Sequence, residues 1–356
     1  MYLLGFESSC DETAASVLEV TDGRFVIRSN IVASQIEIHR RFGGVVPEIA
    51  GRAHIEAISR ITEEALSTAG VSLSDIGCIA VTSHPGLIGA LLVAVNFAKA
   101  LAVSNEIPLV EVDHMKGHIS AAYLTETPPA PPFIAMAVSG GHTSIYEVKD
   151  YTDYTLIGST RDDAIGEAFD KIGRLIGIPY PAGAGFDALA REGFQKATGR
   201  ETDFWDAYRA SPAYRSPAYH LPSPAVMGDN LDFSFSGLKT AAINLLHRFE
   251  QTGEAFDRAA FAAAYTYEAV EAVAKKLDIA LSRHPGYPLV VSGGVAANSH
   301  LRARLKTLAD KHGTTLCLPP VSLCGDNGAM IAAAGYYEYL AGARADAHLG
   351  ARASDE

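Results

Sequence analysis

One order of elements occurs twice in this chain, and the duplication constrains the fold more than any single residue. Three β-like runs, 3–7, 13–20 and 25–33, open the sequence, the second and third joined by the turn former Thr21-Asp22-Gly23. A helical period over 48–69, closed by Gly70, leads to a strand over 78–83, a helix over 87–104, a strand over 109–113 and a helix over 114–124. Thr127-Pro128-Pro129-Ala130-Pro131-Pro132 can continue neither a helix nor a central strand, so it reads as a linker. The order then returns: runs at 133–139, 143–149 and 154–159, a helix over 162–176, a long helix near 256–281, a strand over 288–292, a helix over 296–312, a strand over 315–318 and a helix over 327–340. The expectation is an α/β protein of two lobes with a cleft between them. Its boundaries are a first lobe over 1–126, a linker over 127–132, a second lobe over 133–342 with a helical, irregular insertion at about 185–256, and a flexible tail over 343–356.

Composition narrows the class of function. Of 356 residues, 48% are hydrophobic and 20% charged, and the 32 Gly and 17 Pro form no low-complexity tract, so a disordered or collagen-like chain is excluded. The balance of 29 Lys+Arg against 41 Asp+Glu gives a net charge of −12, which argues against coating nucleic acid by bulk charge but leaves room for a local basic patch. Cys10, Cys78, Cys317 and Cys324 contain no Cys-x-x-Cys pair, so neither a disulfide framework nor a thiolate cluster is suggested and a reducing cytoplasm fits. The N-terminus reaches Glu7 before a signal-length apolar run develops. The apolar stretch 87–95 is followed by Asn96 and Lys99, too short a run to span a membrane, so no membrane association is expected.

His114 and His118 stand one helical turn apart in Asp113-His114-Met115-Lys116-Gly117-His118, just beyond a strand, so their rings share a face with Cβ atoms about 6 Å apart. Such a pair can grip one metal ion, or can cap the helix and pack under a loop; spacing leaves both open. Met115 stands where a zinc protease carries the Glu that activates water, so a peptidase would lack its general base. Val138-Ser139-Gly140-Gly141-His142-Thr143 is either a tight hairpin or a loop that lets backbone N–H groups approach an oxyanion. The pattern strand-Ser-Gly-Gly recurs at Ser292-Gly293-Gly294, leading into a helix whose N-terminus favours anions, with Asn298 placed to bond a base or sugar edge. Asp326, before the last helix, reads as its N-cap or as the oxygen ligand that completes a His-His-Asp site from the second half of the chain. Asp11 and Glu12 sit in the first strand-to-strand turn, and Asp170 and Asp187 add carboxylates beside flexible backbone, where ribose hydroxyls are one partner and solvent the other.

Jointly these motifs resemble one family over nearly the whole chain, the tRNA N6-adenosine threonylcarbamoyltransferases, formerly called O-sialoglycoprotein endopeptidases or glycoproteases. The resemblance is carried by Glu7-Ser8-Ser9-Cys10-Asp11-Glu12-Thr13, Gly43-Gly44-Val45-Val46-Pro47-Glu48, His114-Met115-Lys116-Gly117-His118, Val138 to Thr143, Gly166-Glu167-Ala168-Phe169-Asp170-Lys171 and Asp326-Asn327-Gly328-Ala329-Met330. Phe233-Ser234-Phe235-Ser236-Gly237-Leu238-Lys239-Thr240 looks like the bacterial branch. The resemblance implies the two-lobed fold shared with actin, Hsp70 and sugar kinases, with duplicated RNase H-like lobes around a central cleft. It implies that His114, His118 and Asp326 hold one divalent metal, usually described as iron, Fe(2+), with zinc, Zn(2+), also seen. It further implies that Ala137, Val138, Ser139, Gly140, Gly141, Asp170, Gly183, Asp187 and Asn298 contact threonylcarbamoyl-AMP. Two departures stand out: Ser83-His84 where a small residue and Gly usually precede Pro-Gly, and Pro181-Ala182-Gly183-Ala184-Gly185 in place of a Gly-Gly-Pro core. A surface role is expected for His84, not a catalytic one.

The implied reaction moves the L-threonylcarbamoyl group to the exocyclic amine of the adenosine that follows the anticodon in ANN-decoding tRNAs, with AMP leaving. Asp11 or Glu12 is expected to take the amine proton. The negative net charge calls for help with tRNA, and the family implies a related two-lobed partner lacking the metal site and a small P-loop ATPase. Arg40, Arg41, Lys99, Lys116, Arg161, Lys171 and Arg174 are the candidate phosphate contacts on this chain. A sugar kinase or ATPase of the same fold would leave the His pair idle, a metallopeptidase would lack its Glu, and a non-catalytic scaffold would tolerate loss of both histidines.

Overall fold

A computed structural model describes residues 1–224, 226, 228 and 230–354. β1 (Tyr2–Glu7), β2 (Glu12–Thr21) and β3 (Arg24–Ser34) form an antiparallel meander. After α1 (Ile36–Arg40) and α2 (Pro47–Ala69) the chain alternates through β4 (Ile76–His84), α3 (Ile88–Asn105), β5 (Leu109–Asp113) and α4 (His114–Ser120). The second half repeats the meander as β6 (Phe133–Val138), β7 (Thr143–Val148) and β8 (Tyr154–Ser159). The helices α5 (Ile165–Leu175), α6 (Gly183–Thr198), α7 (Phe204–Ala210), α8 (Pro212–Arg215), α9 (Ser236–Thr252) and α10 (Arg258–Arg283) follow, then β9 (Leu289–Ser292), α11 (Ser299–His312), β10 (Leu316–Cys317) and α12 (Gly328–Leu340). The first sheet has the order β3-β2-β1-β4-β5, and the second reads β8-β7-β6-β9-β10 from the matching edge. In both, the meander is antiparallel and the added strands are parallel. The two-lobed α/β architecture expected from the duplicated order is therefore present.

Strand alternation decides what covers each face. Leu4 and Phe6 of β1 point into a core with Ile58 and Ile61 of α2 and Ala94, Val95 and Ala98 of α3. Leu3 points the other way, with Cys78, Ala80, Val110 and Val112, onto Met330 to Ala334 of α12. Leu3, Leu4 and Phe6 are all fully buried, worth about 1.5–3 kcal/mol each relative to exposure. The last helix thus packs on the first sheet although more than 200 residues separate its start from the end of β5. Its approach is close: a Cβ at Gly5 would lie 2.2 Å from the Gly328 carbonyl oxygen and 2.9 Å from Ala332 Cβ.

The structure departs from the sequence reading in three places. Residues 343–353, expected as a flexible tail, run along the first lobe: Ala345 N donates to Leu109 O at 2.7 Å, Lys99 Nζ to Leu349 O at 2.8 Å and Arg352 N to Ser83 O at 2.9 Å. The helix expected over 87–104 is present as α3, but the apolar run expected to be too short to span a membrane is part of its full length to Asn105. By length and composition that helix could cross a membrane, but its Ala90, Leu91, Ala94, Val95, Ala98 and Ala102 are buried within the first lobe. Finally, the helix expected over 162–176 starts at Ile165, because Ile165 N donates to Thr143 Oγ1 and Thr160 Oγ1 to Asp163 O, holding 160–164 as a turn.

Candidate metal centre and substrate cleft

Asp113 ends β5 and caps α4, its Oδ1 accepting from Met115 N at 2.6 Å and Lys116 N at 3.1 Å. The helix therefore starts where the strand stops, and His114 and His118 follow one turn apart with ring centroids 4.5 Å from each other. Gly117, on the same short helix, lies against Ile331 Cδ1, 2.5 Å from where a Cβ would stand, so α4 and α12 meet. At the start of α12 the capping side chain is Asn327, whose Oδ1 accepts from Met330 N at 3.0 Å. The N-cap role open to Asp326 is thus shifted by one residue, and Asp326 is left free to face the histidines. Its Oδ1 lies 3.2 Å from His118 Nε2 and 3.7 Å from His114 Nε2, and the three ligand atoms fall within 4.8 Å of one another. The carboxylate arrives on a helix docked to the first sheet, so the trio is built on the first lobe rather than bridging the two.

Glu7, at the end of β1, completes the surroundings. It is fully buried, its Oε2 lies 3.1 Å from His114 Nδ1 and accepts from Thr82 Oγ1 at 2.5 Å, and its Oε1 accepts from Ser9 N at 2.5 Å. Holding Nδ1 aims Nε2 toward Asp326. Burial works against both carboxylates, yet the His114 charge outweighs it and holds Glu7 and Asp326 below the ordinary carboxylate range. Burial likewise disfavours charged His114, but Glu7 and Asp326 overcome it and push that ring up to about 9. Both nitrogens of His118 are buried without a well-aligned hydrogen bond. Two imidazoles, one of them a buried ring with both nitrogens orphaned, a carboxylate, and a second carboxylate behind the other histidine form surroundings that fit a divalent transition metal. Sequence reasoning missed Glu7; the signal was an acidic residue closing the apolar run of a central strand.

The cleft-side groups of the second lobe are tied into one arc. The turn after β6 is closed by Ser139 N donating to His142 O at 2.9 Å and by His142 N donating to Ser139 Oγ at 3.1 Å, leaving Gly140 and Gly141 open. Beneath it lies Gly166 of α5, where a Cβ would come 2.5 Å from Ser139 O, and beside it Gly293, 2.3 Å by the same measure from Val138 O. Further along α5, Asp170 Oδ1 accepts from Ala182 N at 2.7 Å and so fixes Gly183 at the start of α6. Burial, then Asp11 and Glu167, raise the Asp170 carboxyl against that bond. From α6, Asp187 accepts from Ser299 N and Ser299 Oγ at 2.8 Å. Asn298 uses its Oδ1 to cap α11, accepting from His300 N at 3.0 Å and Leu301 N at 2.9 Å, so that oxygen is not free for a base or sugar edge. A 3-10 turn, Gly294–Ala297, separates the second Ser-Gly-Gly motif from the helix.

The arc meets the trio through His142, whose ring centroid is 6.4 Å from that of His114. Burial and the neighbouring histidines lower the His142 ring to about 4, so it stands there neutral. Across the cleft, Tyr180 Oη donates to Asp11 Oδ2 at 3.3 Å. Glu12 accepts from Ser34 Oγ at 3.2 Å, and burial with the Asp326 and Asp11 charges pushes it up to about 9. Asp187 and Asn298 meet at the start of α11, through Ser299 and His300. His84 is partly covered rather than a surface ring, its Nδ1 2.7 Å from Ser83 Oγ and 2.8 Å from an Arg352 guanidinium nitrogen.

Comparisons with known proteins agree with this geometry. A family model described as tRNA N6-adenosine threonylcarbamoyltransferase matches residues 26–333. A protein of that name from Limosilactobacillus fermentum is 47% identical over 351 residues, covering 98% of this chain and 94% of the relative. One from Clostridium perfringens is 45% identical over 340 residues, covering 96% and 93%. Among solved structures, HypF of T. kodakarensis superposes with a TM-score of 0.58 at 14% identity, over 96% of this chain and 48% of that one, a likeness of fold. With the full-length relatives and the matching motifs in one cleft, the chain belongs to the tRNA N6-adenosine threonylcarbamoyltransferase family.

Proposed function

We propose that this tRNA-modifying transferase moves the L-threonylcarbamoyl group from threonylcarbamoyl-AMP to N6 of the adenosine that follows the anticodon in ANN-decoding tRNAs. The observation that carries the reading is the His114, His118 and Asp326 trio lying beside the open Gly140-Gly141 turn, with His142 between them. A C–N bond forms between N6 and the carbamoyl carbon, the C–O bond to phosphate breaks, and AMP leaves. The backbone of Ala137 to Gly141 and the start of α6 at Gly183 hold the donor, with Asp170 fixing that start, Asp187 tying α6 to Ser299 of α11 and Asn298 capping α11. Asp11 takes the N6 proton; Glu12, the other candidate, already carries a proton near neutral pH, because burial with the Asp326 and Asp11 charges pushes its carboxyl up to about 9. A divalent metal, Fe(2+) or Zn(2+), held by the trio would supply charge stabilisation at the carbamoyl oxygen. An adenine amine is a weak nucleophile, so positioning and charge carry most of the rate and no strong base is needed.

The same reading places the chain in the cytoplasm, where its four free cysteines stay reduced, and pairs it with a related two-lobed protein and a small P-loop ATPase. The test is mass spectrometry of tRNA nucleosides from cells depleted of the protein, together with transfer from synthetic threonylcarbamoyl-AMP to a tRNA transcript. Loss of N6-threonylcarbamoyladenosine on depletion is expected; unchanged levels would overturn the assignment.

A further inference from the structure

The fold sorts the basic residues that the sequence offers as phosphate contacts. Lys99 is engaged by Leu349 O at 2.8 Å, and Lys116 lies between Glu338 Oε1 at 3.1 Å and Thr152 O at 3.3 Å. Arg161 pairs with Asp232 at 2.8 Å, and Lys171 bridges Asp163 at 3.0 Å and Glu167 at 2.7 Å. Arg40 is shared between Glu37 at 2.7 Å and, across the cleft, Tyr180 O at 3.2 Å. Arg41 and Arg174 differ: both are exposed, and among the described residues neither has a carboxylate in ion-pair range.

These two come from opposite lobes to one place. Gly43, two residues beyond Arg41, has φ +73, and a Cβ there would lie 2.8 Å from Arg174 Cζ. Glycine therefore lets the first-lobe loop rest its backbone on the second-lobe guanidinium. The same rim touches the reaction side of the cleft, because Tyr180, whose carbonyl accepts from Arg40, also donates its hydroxyl to Asp11. In a chain of net charge −12, guanidinium groups with no acid beside them are available to an outside anion.

We propose that Arg41 and Arg174 form an RNA-phosphate contact at the mouth of the cleft, seating the sugar–phosphate backbone beside the reactive adenosine. This deepens the function proposed above and rests on tRNA being the acceptor. Guanidinium suits the contact because its fork bonds a phosphate through two N–H groups at once. Contacts from both lobes also make RNA binding favour the arrangement in which the rim is closed over Asp11. Two phosphate contacts are few, in keeping with a chain that needs partners to hold a whole tRNA.

The experiment measures binding of the full chain to an unmodified tRNA transcript with adenosine after its anticodon, by fluorescence anisotropy from about 50 to 200 mM salt. Arg41→Ala with Arg174→Ala is expected to weaken binding about tenfold and to make the log–log salt slope shallower by about 1.4, single-stranded phosphates contributing about 0.7 each. Arg41→Glu should bind more weakly still. The KM for threonylcarbamoyl-AMP and the bound metal content should stay at wild-type values, and Arg28→Ala, which removes a partner of Glu19 on the β2–β3 ribbon, should change nothing. Wild-type affinity and slope in the double variant and in Arg41→Glu would overturn the rim as the contact while leaving the tRNA acceptor intact. A wild-type chain that neither binds nor modifies the transcript with its partners present would overturn the acceptor reading and the rim with it.

Discussion

Tyr180 reaches from the second lobe to donate its hydroxyl to Asp11 Oδ2 at 3.3 Å, joining residues 169 apart in sequence across the cleft. Asp11 is buried, and the Tyr180 bond fixes which way its carboxylate faces. A hydrogen bond to a charged group is worth about 1.5–3 kcal/mol, so Tyr180→Phe should lower kcat by about tenfold or somewhat more, with the donor KM unchanged. Because Tyr180 acts through Asp11, adding Tyr180→Phe to Asp11→Asn should cost nothing further in a double-mutant cycle. Additive losses would show that the two act independently.

Glu7 should matter to metal retention more than to folding. Its Oε2 holds His114 Nδ1, and Glu7→Gln keeps the volume and one acceptor while removing the charge. Loss of such a partner behind a ligand histidine typically weakens metal binding about 10–100-fold. Titration of iron(II) or zinc(II) into the metal-free chain reads this directly; unchanged affinity would mean that the Glu7 charge does not support the site.

Glu12 gives the pH dependence. Its folded-state carboxyl is pushed up to about 9 by burial and by Asp326 and Asp11, above its ordinary value of 4.5. The folded metal-free chain then binds a proton that the unfolded chain has released, so stability is full below about 4.5 and is lost as pH rises through about 9. Glu12→Gln stays neutral and escapes that loss. Thermal melts of the metal-free proteins should coincide near pH 4 and separate as pH rises toward 9, the variant melting higher. Melting curves that keep a constant separation over that range would contradict the shift.

Much of the architecture was legible because it rests on local patterns. Gly70 stops α2 in the left-handed conformation at φ 69, and the alternation of Leu3, Leu4 and Phe6 marks a strand covered on both faces. His114 and His118 were legible for the same reason, being one helical turn apart. What stayed hidden depends on contacts between distant segments. Nothing local tells that α12 lies on the first sheet, that Asn327 rather than Asp326 caps it, or that Glu7 stands behind His114. The insertion shows the same limit: Asp162 accepts from Phe235 N at 2.8 Å and Ser236 Oγ at 2.7 Å, tying the Phe-Ser-Phe-Ser run to the loop before α5, a pairing that neither segment announces alone.

The docking of α12 offers the most direct check on how the site is assembled. Gly5 of β1 faces that helix with no room for a side chain, since a Cβ would lie 2.2 Å from Gly328 O and 2.8 Å from Ala332 N. These are backbone atoms, so relief requires the helix itself to move, and it carries Asp326 at its leading end. Gly5→Ala should therefore cost about 1–3 kcal/mol or more in urea denaturation and weaken metal binding as well, because the carboxylate is drawn away from His114 and His118. Gly89 in α3 is the contrasting case: a Cβ there meets nothing within 4 Å, and Gly89→Ala should gain about 0.5–1 kcal/mol with metal affinity unchanged. If Gly5→Ala lowered stability but left metal binding at the wild-type level, the position of Asp326 would be set by its own loop and not by the packing of the helix behind it.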